Sequence, residues 1–187
     1  MTKVNFGFIA ALEGGPVLTG YVPDAEKSNS GVSIATGFDI GQRTDSDLVA
    51  LLPQHSELVD KLAFYCGHKR SDAVAVLAIC PLHITEQEAL IIDTAVKQQL
   101  LSRLEQRYNA TALKDFAQLP EAMQTVIASV AFQYGDLASR CPRFWRAAIT
   151  ADSVSLINEL QNFGDRYPTR RNREANYLIK FCKAGQV

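Results

Sequence analysis

Glu13 stands where an apolar run, Phe6 to Leu12, meets Gly14-Gly15-Pro16, a stretch in which a helix cannot continue. A carboxyl group at such a junction is held on rigid backbone. Ala10, Ala11 and Leu12 precede it, and apolar surroundings favour the protonated, proton-donating form of an acid. Further on come Asp24, Glu26, Ser33, Thr36 and Asp39, any of which could activate or orient a water molecule. A proton-donating acid combined with a water-activating group is the equipment that hydrolyses a glycosidic bond. Ser33 and Asp39 are separated by an even number of residues, which places them on one face of an extended arm unless a bulge at Gly37 breaks the count. Asp39 lies between Phe38 and Ile40 rather than in an obvious turn. The purely structural alternatives are a solvated Glu13 at a helix end and an Asp39 that caps the turn at Gly41.

The elements that must position these residues can be read from periodicity. Phe6, Ile9 and Ala10 recur at helical spacing and predict a helix over about 3–12. From Val17 to Ile40 the chain is rich in Gly, Ser, Thr and β-branched residues, with a polar stretch between two more apolar arms. That pattern predicts a β-hairpin or small sheet with a long loop, residues 31–41 forming one arm. From Thr44 onward the pattern is helical. Pro53 interrupts it and Ser56 can restart it. Thr85 and Glu88 have capping-box spacing ahead of a long stripe, Ala89, Ile92, Val96, Leu100 and Leu104, that ends near Asn109. Pro120 suits the first turn of a helix running to Gly135. Pro142 opens a short helix with Phe144 and Trp145, Asp152 or Ser153 caps the next, and Thr169 is expected to cap the last. The fold class expected is α+β, a small β-containing lobe over about 13–43 followed by a helical lobe over about 44–187, with a cleft between them inside a single domain.

Composition narrows the functions. A chain of 187 residues with a net charge of −1 can bury a sizeable core and is a poor general nucleic-acid binder. Residues 1–60 hold eight acids and three bases, whereas 166–187 hold six bases and one acid; that asymmetry could help hold an anionic polymer, and a solvated basic helix face accounts for it equally well. No apolar stretch is long enough to span a membrane, and Glu13 ends the only leader-like run, so no signal peptide is expected. Cys66, Cys80, Cys141 and Cys182 are scattered without metal-ligand spacing and are expected to be free, buried thiols, with a Cys66–Cys80 bridge as the alternative. His55, His68 and His83 are far apart and away from the candidate residues, and Phe132 and Trp145 read as core.

Three segments together resemble the pesticin and T-even phage lysozyme family of muramidases. They are Glu13-Gly14-Gly15 with Leu18 to Pro23 and Ser30 to Gly41, then Val130-Ala131-Phe132-Gln133-Tyr134-Gly135, then Pro168 to Glu174. They occur in family order across most of the chain. The resemblance implies a lysozyme-like fold and cleavage of the β-1,4 bond between MurNAc and GlcNAc with inversion. It assigns the general acid to Glu13, the water-holding hydroxyl to Ser33 and the water-activating carboxylate to Asp39, with Asp24 in reserve because the phage enzymes carry an aspartate early in the hairpin. Ser33 departs from the threonine of the relatives and lacks the methyl that fixes its rotamer.

By the same resemblance Gln133 and Arg140 contact substrate, and Tyr21 offers a sugar an apolar face and a polar tip. No metal or organic cofactor is implied. The expected partner is the peptidoglycan glycan strand, met by a monomer without membrane insertion and without nucleic acid. The chain would be made in the cytoplasm and act in the periplasm or cell wall, as a phage endolysin released through a holin or as an antibacterial toxin or effector with an immunity protein in its producer. The competing reading is a peptidoglycan-binding module of the same fold that has lost turnover.

Overall fold

The computed structural model describes residues 2–184, with side chains through Cys182. It is an α+β structure that divides into two compact units, residues 14–99 and residues 1–13 with 100–187.

In the first unit, strands β1 (Val17–Tyr21), β2 (Ser33–Ala35) and β3 (Phe38–Asp39) form an antiparallel sheet in that order. Residues 31–41 are therefore not one continuous arm. They fold back on themselves over 35–37, where Ala35 (φ +52°), the last residue of β2, and Gly37 (φ +83°) adopt the left-handed backbone that turns the chain. Val32, Ile34, Phe38 and Ile40 face a core that includes Leu48, Leu52, Leu62 and Ile92. Helix α2 (Asp45–Leu51) starts at a capping box made by Thr44 and Asp47. After Pro53, α3 (Ser56–Ala63) restarts the pattern.

Helix α4 (Arg70–Ile79) falls within the stretch read as helical from Thr44 onward; its N-cap, Lys69, makes no side-chain cap, and Ala73 with the half-buried Val76 and Leu77 forms its packed face. The long helix α5 (Glu86–Asn109) begins as expected. The Thr85 N–H donates to Glu88 Oε2 at 2.7 Å, and the Glu88 N–H donates to Thr85 Oγ1 at 3.1 Å. Lys61, 2.6 Å from Glu88, and the Thr85 amide hold the Glu88 carboxyl below its ordinary value. The division between units falls at Gln99/Leu100, within α5.

The second unit is helical: α1 (Phe6–Glu13), the rest of α5, α6 (Glu121–Tyr134), α7 (Leu137–Arg140), α8 (Pro142–Ile149), α9 (Ser153–Gln161) and α10 (Pro168–Ala184). Every residue of α6 from Ala122 to Ala131 is buried, the polar Gln124, Thr125 and Ser129 included, and each of these three is hydrogen-bonded. Phe144 and Trp145 join its core, and the half-buried Phe132 packs against it. Asp152 caps α9 by accepting from the Val154 and Ser155 amides. At α10 the expected cap is displaced: Pro168 opens the helix and Thr169 lies inside its first turn, since the fixed φ of proline suits the first helical position.

The basic C-terminal stretch is only in part a solvated face: Arg166, Arg173 and Lys180 are exposed, whereas Arg170 and Arg171 turn inward. Arg171 is 1% exposed and Glu174 is fully buried. Glu174 accepts from Ser129 Oγ (2.6 Å), Arg170 Nε (3.2 Å) and Arg171. Arg171 also donates to Asp165 (2.9 Å) and to the Gln133 side-chain oxygen, and its guanidinium lies 4.8 Å from the Phe163 ring centroid. Burial opposes ionisation of Asp165, but the Tyr134 hydroxyl, the Tyr167 amide and Arg171 together outweigh it and lower its pKa. The four cysteines are free thiols; Cys141 is buried, whereas Cys80 is exposed and Cys66 and Cys182 are half-buried, so burial holds for only one of the four.

Candidate functional site

Glu13 is the last residue of α1, and Gly14 (φ +77°) takes the left-handed conformation that ends the helix. What holds Glu13 in place is the anchoring of α1. Asn5 caps its start, accepting from the Phe8 amide at 2.9 Å. The backbone amides of Lys3 and Asn5 donate to the buried side chains of Gln124 (2.7 Å) and Thr125 (2.9 Å) on α6. Ile9 is fully buried, and the Phe8 ring stacks on Tyr177 with centroids 4.2 Å apart. At the C-terminal end Arg173 donates to the Ala11 carbonyl at 3.1 Å, supplying a cation where the helix dipole is negative. Glu13 as a residue is half-buried, with its Oε2 shielded from solvent. Ala10 and Ala11 are exposed, so the apolar residues beside Glu13 in sequence do not enclose it.

In the sheet unit the register aligns three of the candidates. Tyr21 pairs with Ser33 across β1–β2, and Ser33 pairs with Asp39 across β2–β3. Directly opposed residues project to the same side of a sheet, so Tyr21, Ser33 and Asp39 form one row. Their shared face comes from pairing across a turn rather than from alternation along one arm. Ser33 is only 2% exposed, Asp39 half-buried. Asp39 occupies the N-cap position of the short turn over 40–42 but makes no side-chain cap there. Its carboxylate instead accepts from the Gly31 amide at 3.1 and 3.3 Å. That approach needs glycine: a Cβ at Gly31 would lie 2.4 Å from both Gly41 Cα and the His68 carbonyl oxygen. Asp24, by contrast, sits in an exposed turn at φ +46°, its side chain 3.3 Å from the Lys27 amide, and Glu26 is exposed nearby.

The remaining candidates lie in the helical unit. Gln133 is half-buried at the end of α6 with its side-chain oxygen engaged by Arg171, and Arg140 is exposed at the end of α7. Among the described residues no group of three or more His, Cys, Asp or Glu is placed to hold a metal ion, and no helix is long and apolar enough to cross a membrane.

The family model described as "Pesticin: Bacterial toxin homologue of phage lysozyme, C-term" matches residues 3–153. The chain belongs to this family. No curated protein matches it closely enough to add a named relative. The pesticin match covers Glu13, Tyr21, Asp24, Ser33, Asp39, Gln133 and Arg140 together, and it ends before the arginine-rich segment of α10.

Two positioning residues escaped the sequence reading. Arg173 supports the end of α1 from α10, a contact that no local pattern encodes. Asp93, on α5, accepts from the Thr36 amide (3.1 Å) and the Thr36 hydroxyl (2.6 Å), pinning the turn that folds β2 onto β3. Asp93→Ala should cost the sheet unit about 1.5–3 kcal/mol, the range for hydrogen bonds to a charged group. The Thr36 amide should then lose protection from hydrogen exchange. An unchanged exchange rate would show that the turn holds itself.

Proposed function

We propose that the protein is a peptidoglycan hydrolase that cleaves the MurNAc–GlcNAc β-1,4 bond with inversion, acting as one catalytic domain. The observation that carries this reading is a single family match spanning Glu13 and the Ser33–Asp39 pair, the first on a rigid helix end and the pair in one sheet register. In the mechanism, Glu13 protonates the bridging oxygen while Asp39 takes a proton from a water oriented by the Ser33 hydroxyl, and that water attacks the anomeric carbon. Tyr21, at the end of the same row, would face a sugar ring, with Gln133 and Arg140 as further contacts. No metal or organic cofactor takes part. An inverting reaction differs from a retaining one in that water attacks directly and no glycosyl-enzyme forms.

The product anomer tests this directly. Early hydrolysis of a soluble peptidoglycan fragment, followed by proton NMR before mutarotation, should release the α-anomer at the reducing MurNAc. A β-anomer burst would overturn the assignment. Asp39→Asn should reduce the rate at least ~10-fold more than Asp24→Asn, since loss of an acid–base group costs 10²–10⁴-fold and Asp24 serves an exposed turn. The reverse order would move the water-activating role to Asp24.

The burial of Ser33 favours one alternative, a peptidoglycan-binding module without turnover, because a serine that is only 2% exposed offers a water little room. A zymogram separates the two: a binding module leaves no cleared band. On the hydrolase reading, the protein acts on the cell wall after holin release or delivery by a secretion system, and an injected form would require an immunity protein in the producing cell.

A further inference from the structure

We propose that the helical unit binds a monomeric amphipathic carboxylate, an acyl chain with a single anionic head, in a pocket walled by α5, α6, α7 and α8. The pocket has a volume of about 460 Å³, within the ~300–1,000 Å³ typical of sites for small ligands. Leu100 and Leu104 of α5, Ala131 and Phe132 of α6, Leu137 of α7 and Trp145 of α8 contribute apolar surface to it. All of these residues belong to the helical unit, and none is among the residues assigned to hydrolysis, so the inference stands apart from the proposed reaction.

The head group follows from the charges around the pocket. Arg103 and Arg107, one turn apart on α5, and Asp136, beside α7, also line it. Arg107 Nη1 lies 2.8 Å from Asp136 Oδ1, and both side chains are exposed, so this pair is internally neutralised. Arg103 is exposed and has no hydrogen bond or ion pair among the described residues. One uncompensated guanidinium beside an apolar pocket matches one carboxylate, which it can bind through two parallel hydrogen bonds. A dianionic head would bring its second charge towards Asp136. A purely apolar occupant would leave Arg103 unused.

The experiment is calorimetric titration of the full chain with octanoate, decanoate and dodecanoate, each below its micelle concentration. One saturable site is expected, with affinity rising about threefold or more for each added methylene. Dodecanol should bind at least ~10-fold more weakly than dodecanoate, and Arg103→Ala should impose a similar loss on dodecanoate while leaving dodecanol unchanged. Ala138→Trp, at an exposed position lining the pocket, should abolish binding with the circular dichroism preserved; Ala110→Trp provides a second filling variant should the first fail to fold. Absence of saturable binding, binding that survives both tryptophan variants, or equal affinity for dodecanoate and dodecanol would overturn the proposal. So would binding to phosphatidylglycerol vesicles without binding to the free acids.

Discussion

Replacing Glu13 with glutamine should lower hydrolysis of purified cell walls by at least ~10²-fold, the lower end of what a general acid contributes. Glutamine preserves the shape of the side chain and removes the transferable proton, so a loss of this size isolates the chemistry. The fold should tolerate the change, because the anchors of α1 lie elsewhere: the Asn5 cap, the Lys3 and Asn5 amides on Gln124 and Thr125, and the buried Ile9. The far-ultraviolet circular dichroism and the melting temperature of Glu13→Gln should therefore stay close to wild type. Wild-type turnover in this variant would remove Glu13 from the mechanism. A wild-type chain that binds walls but does not cut them would instead support the binding-module reading.

The largest effect on stability is expected from Arg171→Met. This substitution removes a guanidinium that is 1% exposed and that donates to Glu174, Asp165 and Gln133 at once. Glu174 would remain fully buried with Arg170 as its sole cationic partner among the described residues. Breaking a buried ion pair from one side costs about 3–5 kcal/mol, because the remaining buried charge loses much of its compensation. For a chain of this size that corresponds to a fall in melting temperature of roughly 6–20 °C. The one tryptophan, Trp145, lies in the same helical unit, so its fluorescence during urea unfolding reports on the unit that holds the cluster. A loss below ~1 kcal/mol would mean that neighbouring groups or water replace the arginine, and the cluster would then be a minor contributor.

Much of the secondary structure was legible in the sequence because its signals are local. Thr85 and Glu88 stand three residues apart, Pro120 and Gly135 bracket the apolar face Met123, Val126, Ile127, Val130 and Tyr134, and Gly14 to Pro16 end α1; each acts within a turn or two of backbone. Helix α4 carries a weaker signal of the same kind: Ala73, Val76 and Leu77 recur at helical spacing, but no capping side chain marks its start. The residue types of the candidate site, an acid at a helix end and a hydroxyl with a carboxylate in the β-rich segment, could also be read from sequence, and the family match covers them all.

Tertiary structure alone decided how these residues are held. The alternation rule placed Ser33 and Asp39 on one face of a single arm. The chain instead turns between them and pairs them across two strands, pinned by Asp93, which is 57 residues from Thr36 in sequence. The basic C-terminal stretch read as a cationic surface, yet Arg170 and Arg171 turn inward onto Glu174, because a nearby carboxylate and serine compensate their desolvation. Periodicity records which side of an element is apolar. It holds no record of which distant polar group will meet a buried charge, since that depends on the packing of helices far apart in the chain.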